Sequence, residues 1–182
     1  NGWGYTFTEE WPVRGQTHQA SVTLAFTGQG AGGDTGLGDV LLNYRWQAVG
    51  SGEEAVAFAP RLSAALPTGD EKKAFGAGAV GIEVNLPLSV VLAPKLVTHV
   101  NLGGRYTPSA TVATRKADLS TWFFGQSFIW LAHPNLNVML EAIYSSTDVR
   151  FDGVSGRGET LFVNPGLRAA IDAGDLQIVP GL

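Results

Sequence analysis

The sequence predicts an all-β fold, an antiparallel up-and-down transmembrane β-barrel, and three observations predict it. Apolar and polar residues alternate with period two over most of the chain, the mark of a strand with one apolar and one polar face. The alternating segments run to about 11–14 residues, against ~5–6 for ordinary globular strands and enough to cross a bilayer at a tilt. The connections between them run long, short, long, short, as in a barrel whose strand ends meet two different environments.

Trp3, Tyr5 and Phe7 alternate ahead of a turn at 12–15 and make a first strand. Further strands are predicted at 16–26, 37–48, 55–66, 79–92, 95–106, 118–132, 136–148, 160–171 and from 176 onward. In the third of these segments Val40, Leu42, Tyr44 and Trp46 oppose Asp39, Asn43 and Arg45, with Leu41 the exception. Val80, Ile82, Val84, Leu86, Leu88 and Val90 oppose Gly81, Glu83, Asn85, Pro87 and Ser89 in the same way. Leu96, Val100, Leu102 and Tyr106 likewise oppose Lys95, His99, Asn101 and Arg105. Residues 122–131, WFFGQSFIWL, carry aromatics on both parities, so their faces stay unassigned. Pro60, Pro87 and Pro165 fall inside strands and must sit at edges or irregularities, because proline cannot donate to a ladder. Gly81, Gly103, Gly104, Gly125 and Gly166 supply room for the curvature of a closed sheet.

Segments 27–36, 67–78, 107–117 and 149–159 read as long loops, and 49–54, 93–94, 133–135 and 173–175 as short turns. In a meander every second connection shares an end, so the long loops form the outer rim and the short turns the periplasmic one.

Composition agrees. Only 15% of residues are charged and 45% are hydrophobic, yet no apolar run approaches the ~20 residues of a membrane helix. No cysteine is present, which excludes a disulfide framework and thiolate metal sites. A formal charge of −4 gives no basic footprint for nucleic acid. The chain is expected to be one barrel domain over 1–182 holding about 9–10 strands, cut short at the C-terminus; at the N-terminus neither an initiator Met nor an export signal stands, so such a signal has either been removed or lies outside an N-terminally incomplete sequence.

With the apolar parity toward lipid, the opposite parity lines the lumen. Its ionisable residues are Asp39, Arg45, Arg61, Glu83, Lys95, His99, Arg105, Glu141 and Arg168. A charge on the lipid face costs ~2–4 kcal/mol near the midplane, so their confinement to one parity is informative. Arg61 with Glu83, Glu83 with Arg105, and Glu141 with Arg168 are candidate pairs across the wall. Such a ladder either rigidifies a filled interior or sets the polarity of a solute path. Outward Phe26 and Tyr106 toward the long-loop rim, and Phe58 and Trp46 toward the short-turn rim, fit aromatic girdles.

Catalytic signals are weak, and no catalytic residue, metal ligand or cofactor site is assigned. His18, His99 and His133 lack metal spacing to another His or a carboxylate, and His133 reads as a turn residue. The stretch 28–33 is glycine-rich but lacks the Lys-Ser/Thr of a phosphate loop. Asp34, Asp70, Glu71, Asp152 and Glu159 are solvated loop charges that could attract divalent cations at the lipopolysaccharide layer.

Several strings add a resemblance. Gly36-Leu-Gly-Asp-Val40 leading to Asn43-Tyr-Arg45, and Pro60 through Leu66-Pro-Thr-Gly-Asp70, resemble the barrels of the phenol-degradation meta-pathway outer-membrane family. His99-Val-Asn-Leu-Gly103, Pro134 to Glu141, Asn164 to Arg168 and Val179-Pro-Gly181 are similar to its later strands. The resemblance implies an outer-membrane barrel of about 12 strands acting as a passive channel for small aromatic or other hydrophobic compounds, with membrane lipid, lipopolysaccharide and the solute as partners, and carries no catalytic residues. The rival expectations are a structural or surface-binding barrel with a salt-bridge-filled lumen, a soluble all-β ligand carrier with the faces inverted, and a membrane-embedded hydrolase.

Overall fold

A computed structural model describes residues 2–29, 33–50, 54–173, 176–178 and 181. In chain order its strands are β1 (Gly2–Arg14), β2 (His18–Gln29), β3 (Thr35–Leu37), β4 (Val40–Trp46), β5 (Val56–Phe58) and β6 (Arg61–Leu66). A 3-10 turn at Glu71–Lys73 precedes β7 (Gly81–Ala93), β8 (Leu96–Val112), β9 (Arg115–His133), β10 (Leu136–Phe151) and β11 (Val154–Ala169). Short β12 (Ile171–Ala173) and β13 (Leu176–Ile178) form a separate hairpin. The predicted turn at 49–54 lies outside the described residues at 51–53, the turn at 173–175 at 174 and 175, and the glycine-rich stretch at 30–32. The tail string at 179–182 is outside them except Gly181.

The main sheet runs β1-β2-β4-β6-β7-β8-β9-β10-β11, each pair antiparallel, with β3 on β2 and β5 on β7. This is the predicted meander, curled as in a barrel wall. Among the described residues no ladder joins β1 to β11, so both are edges.

Burial is inverted relative to a soluble sheet. On the apolar parity Leu62, Ile82, Leu102 and Phe128 are 52%, 57%, 50% and 45% exposed, while on the polar parity Ser63, Thr107 and Ser127 are buried. A sheet curled with its polar face inside produces this pattern. The register also settles 122–131. Trp122, Phe124, Gln126, Phe128 and Trp130 pair with the outward residues of β8, and Phe123, Gly125, Ser127 and Ile129 with the inward ones.

The apolar band slides across the register. Its upper edge follows Val40 and Leu66, then Ile82 and Tyr106, one row lower Trp122, and a further row lower Tyr144 and Leu161. A horizontal band that drops through the hydrogen-bonded rows requires strands tilted to the band, as a sheared barrel has. Outward residues above the edge turn polar: Ser146, Asp148 and Arg150 on β10, and Arg157 and Glu159 on β11. Arg157 Nε and Asp148 Oδ1 lie 2.7 Å apart, and the guanidinium holds that carboxyl below its ordinary range.

Two predicted long loops are corrected. Residues 107–117 and 149–159 are mostly strand, closing in tight turns at Ala113–Thr114 and Asp152–Gly153, so β8 to β11 project past the band as hairpins. The predicted strand 55–66 is divided at Ala59–Pro60 into β5 and β6, both paired with β7. Pro87 faces that division: its carbonyl accepts Ala59 N at 3.2 Å, and a strand residue directs N and O to the same side, so its missing N–H falls where no ladder runs. Pro165 lies on edge strand β11, and Pro108 within the bulge between Thr107 and Ala110.

Candidate functional site: the polar inner wall

Antiparallel pairing stacks inward residues into rows across the strands. One row is Ser21, Asn43, Ser63, Glu83, Arg105 and Thr121. Its members bond sideways: Asn43 Nδ2 donates to Ser21 Oγ at 3.2 Å and to Thr23 Oγ1 at 3.3 Å. The next row is Gln19, Arg45, Arg61, Asn85, Gly103 and Phe123. Here Gly103 is required for packing, because the Phe123 ring occupies the space a Cβ would take. A third row holds Ser89, His99, Ser127, Glu141 and Asn164.

Of the three expected ion pairs, one forms. Arg61 Nη2 meets Glu83 Oε1 at 3.4 Å, with the carboxylate largely covered. Glu83 and Arg105 are register partners, but no bridge joins them; Arg105 instead runs beside Gly81. The Glu141–Arg168 pair is excluded by register. Glu141 opposes Asn164 and Arg168 opposes Asn137, four residues apart and therefore about 13 Å along the strand. Arg45 Nη2 donates to Gln47 Oε1 at 2.8 Å.

Asp39 has a different task from its row-mates. Its Oδ1 accepts Gly69 N at 3.1 Å and its Oδ2 accepts Ala77 N at 2.8 Å, which ties the 67–80 loop to the start of β4. Thr68 Oγ1 reinforces the tie by accepting Val40 N at 2.9 Å. Asp70 caps the 3-10 turn, Lys73 pairs with Asp34 at 3.3 Å, and Phe75 is buried beside Gly36. The GLGD and LPTGD strings are thus the two halves of one loop clamp. Lys95 stands in the β7–β8 turn and His133 at the end of β9, where its Nδ1 accepts Asn135 N at 3.3 Å.

Sequence reasoning missed three features. Ser89 Oγ lies 2.6 Å from His99 Nδ1. Glu141, the carboxylate in that row, is two strands from His99, about 10 Å by strand spacing, so the pair is a hydrogen-bonded dyad without an acid to orient it. Shared parity puts Ser89 and His99 on one face, but their pairing is set by the register shift between Val91 and Ala93, which the turn alone does not reveal. Gln126 is a polar residue on the outward face, satisfied there by Thr98 Oγ1. Glu10 of β1 pairs with Ser21 and so belongs to the inward face.

No protein-family model matches the chain, and no curated protein matches it in sequence. Among solved structures it is similar to the COG4313 outer membrane channel from Pseudomonas putida F1, at 12% identity and a TM-score of 0.68. The similarity covers 92% of this chain and 68% of that one. At that identity what the two share is the fold, an antiparallel barrel wall.

Proposed function

We propose that the chain forms the wall of a bacterial outer-membrane barrel that passes small solutes without catalysis. The observation that carries this reading is the inverted sheet: a continuous exposed apolar band outside, and rows of hydroxyl, amide and ionised side chains inside. Soluble monomers rarely leave so many large apolar side chains uncovered on one contiguous face. Similarity to an outer membrane channel supports the same reading at the level of fold.

Within it, Arg45, Arg61, Glu83, His99, Arg105 and Glu141 line the solute path, and the projecting hairpins stand in the lipopolysaccharide layer. The motif strings favour kinship with the phenol-degradation meta-pathway barrels, and with it aromatic or hydrophobic solutes. The second reading, a filled structural barrel, draws on the Arg61–Glu83 bridge and on Phe123 seated over Gly103. Solute flux separates the two. Liposomes carrying the full-length protein should swell in isotonic small sugars or aromatic acids faster than protein-free liposomes. Equal rates would sink the channel reading and leave the structural one.

A further inference from the structure

We propose that the inner wall on β4, β6 and β8 is an anion-preferring element that favours small carboxylates over amines; the proposal rests on the channel reading above. Arg45 and Arg61 are register partners on β4 and β6, which sets their Cα atoms about 5 Å apart. Arg105 stands one row away on β8, opposite Glu83. Like charges placed directly opposite destabilise a sheet, so a wall selected for stability alone would not put two arginines there.

Charge in this patch is unbalanced. Glu83 is engaged by Arg61, at 3.4 Å. Arg45 turns to the neutral Gln47, and among the described residues neither Arg45 nor Arg105 forms an ion pair. Between β4 and β8 three guanidiniums thus share the one carboxylate beside them, Asp39 being held by the 67–80 backbone and Glu10 lying two strands from β4. The same patch holds donors with no protein partner: Arg61 Nε and Ser63 Oγ are buried and unpaired. Gln19 Oε1 and Asn85 Oδ1 are unpaired too, acceptors that suit the hydroxyl of a solute or water accompanying the anion. A carboxylate is the ligand whose two oxygens accept from a guanidinium fork and a neighbouring hydroxyl together. An ammonium would meet the positive surplus, with the Glu83 carboxylate already engaged by Arg61.

A local potential of about one kT from this surplus enriches a monovalent anion roughly threefold and depletes a cation by the same factor. The test is reversal potential across planar bilayers containing the full-length protein, first in a KCl gradient and then with potassium acetate. The wild-type channel should favour chloride and acetate over potassium by about sevenfold, the product of the two factors. The double variant R45Q/R61Q should bring the ratio to about one, and Glu83→Gln, which moves the charge the other way, should raise it by about twofold. A wild-type ratio at or below one, or a ratio unmoved by both variants, overturns the proposal while the channel reading stands. Absence of current in every protein overturns both.

Discussion

Asp39 shows how a charged residue can be legible in sequence and still be misread. Its parity placed it with the inward charges, yet both of its oxygens are spent on the backbone of the 67–80 loop. Parity reports a side chain's face, whereas its partner depends on where a loop of a dozen residues returns. Hydrogen bonds to a charged acceptor contribute about 1.5–3 kcal/mol each, so Asp39→Ala should free the loop while the wall persists. Amide exchange at Gly69 and Ala77 should then accelerate by about 10- to 100-fold, equivalent to about 1.4–2.7 kcal/mol, with Asp39→Asn intermediate because one acceptor remains. Unchanged exchange would show that the clamp is not held by this carboxylate. His99 is the opposite case: its face is legible from parity, but its partner Ser89 depends on how the β7–β8 bulge shifts register by one residue.

At the level of elements, strand existence and facing were readable wherever the sheet carries an apolar band, and strand ends were not. Beyond the band the outward residues of β10 and β11 turn polar. Nothing there enforces one apolar parity, so segments such as 107–117 look like loop although they are laddered. One signal was available: Asp152–Gly153 is the dipeptide of a two-residue hairpin, and Gly153 adopts φ +75° there. The partner tip has no such chemistry. Ala113 and Thr114 hold φ of +44° and +77°, a left-handed conformation costing about 1–2 kcal/mol for each residue with a Cβ. Replacing the pair by Asn-Gly should therefore stabilise the β8–β9 tip by about 1 kcal/mol or more. The readout is slower amide exchange at Val112 and Arg115 and slower proteolysis between them. Faster cleavage in the variant would mean that the tip conformation is set by contacts other than the turn residues.

For the whole molecule, the choice between a membrane wall and a soluble carrier comes down to which face meets water, and the placement of the tryptophans bears on it. Trp3, Trp11, Trp46, Trp122 and Trp130 all take the outward parity, and each is about half exposed, from 47% to 55%. A soluble protein rarely leaves every indole uncovered, because each buries a large apolar area on folding. In a bilayer the same placement is favourable, since the ring enters the apolar boundary while its N–H reaches the headgroups. This part of the architecture was visible in the alternation itself; what alternation did not reveal is the slide of the band across the rows, which depends on strand tilt rather than on any one strand. The slide distributes the indoles between the two borders, with Trp46 and Trp130 toward the short-turn border and Trp122 toward the long one. In proteoliposomes, lipids brominated near the headgroup should therefore quench more of the emission than lipids brominated near the chain end, and aqueous iodide should quench least. Strong iodide quenching with weak bromolipid quenching would place these indoles in water and overturn the membrane reading.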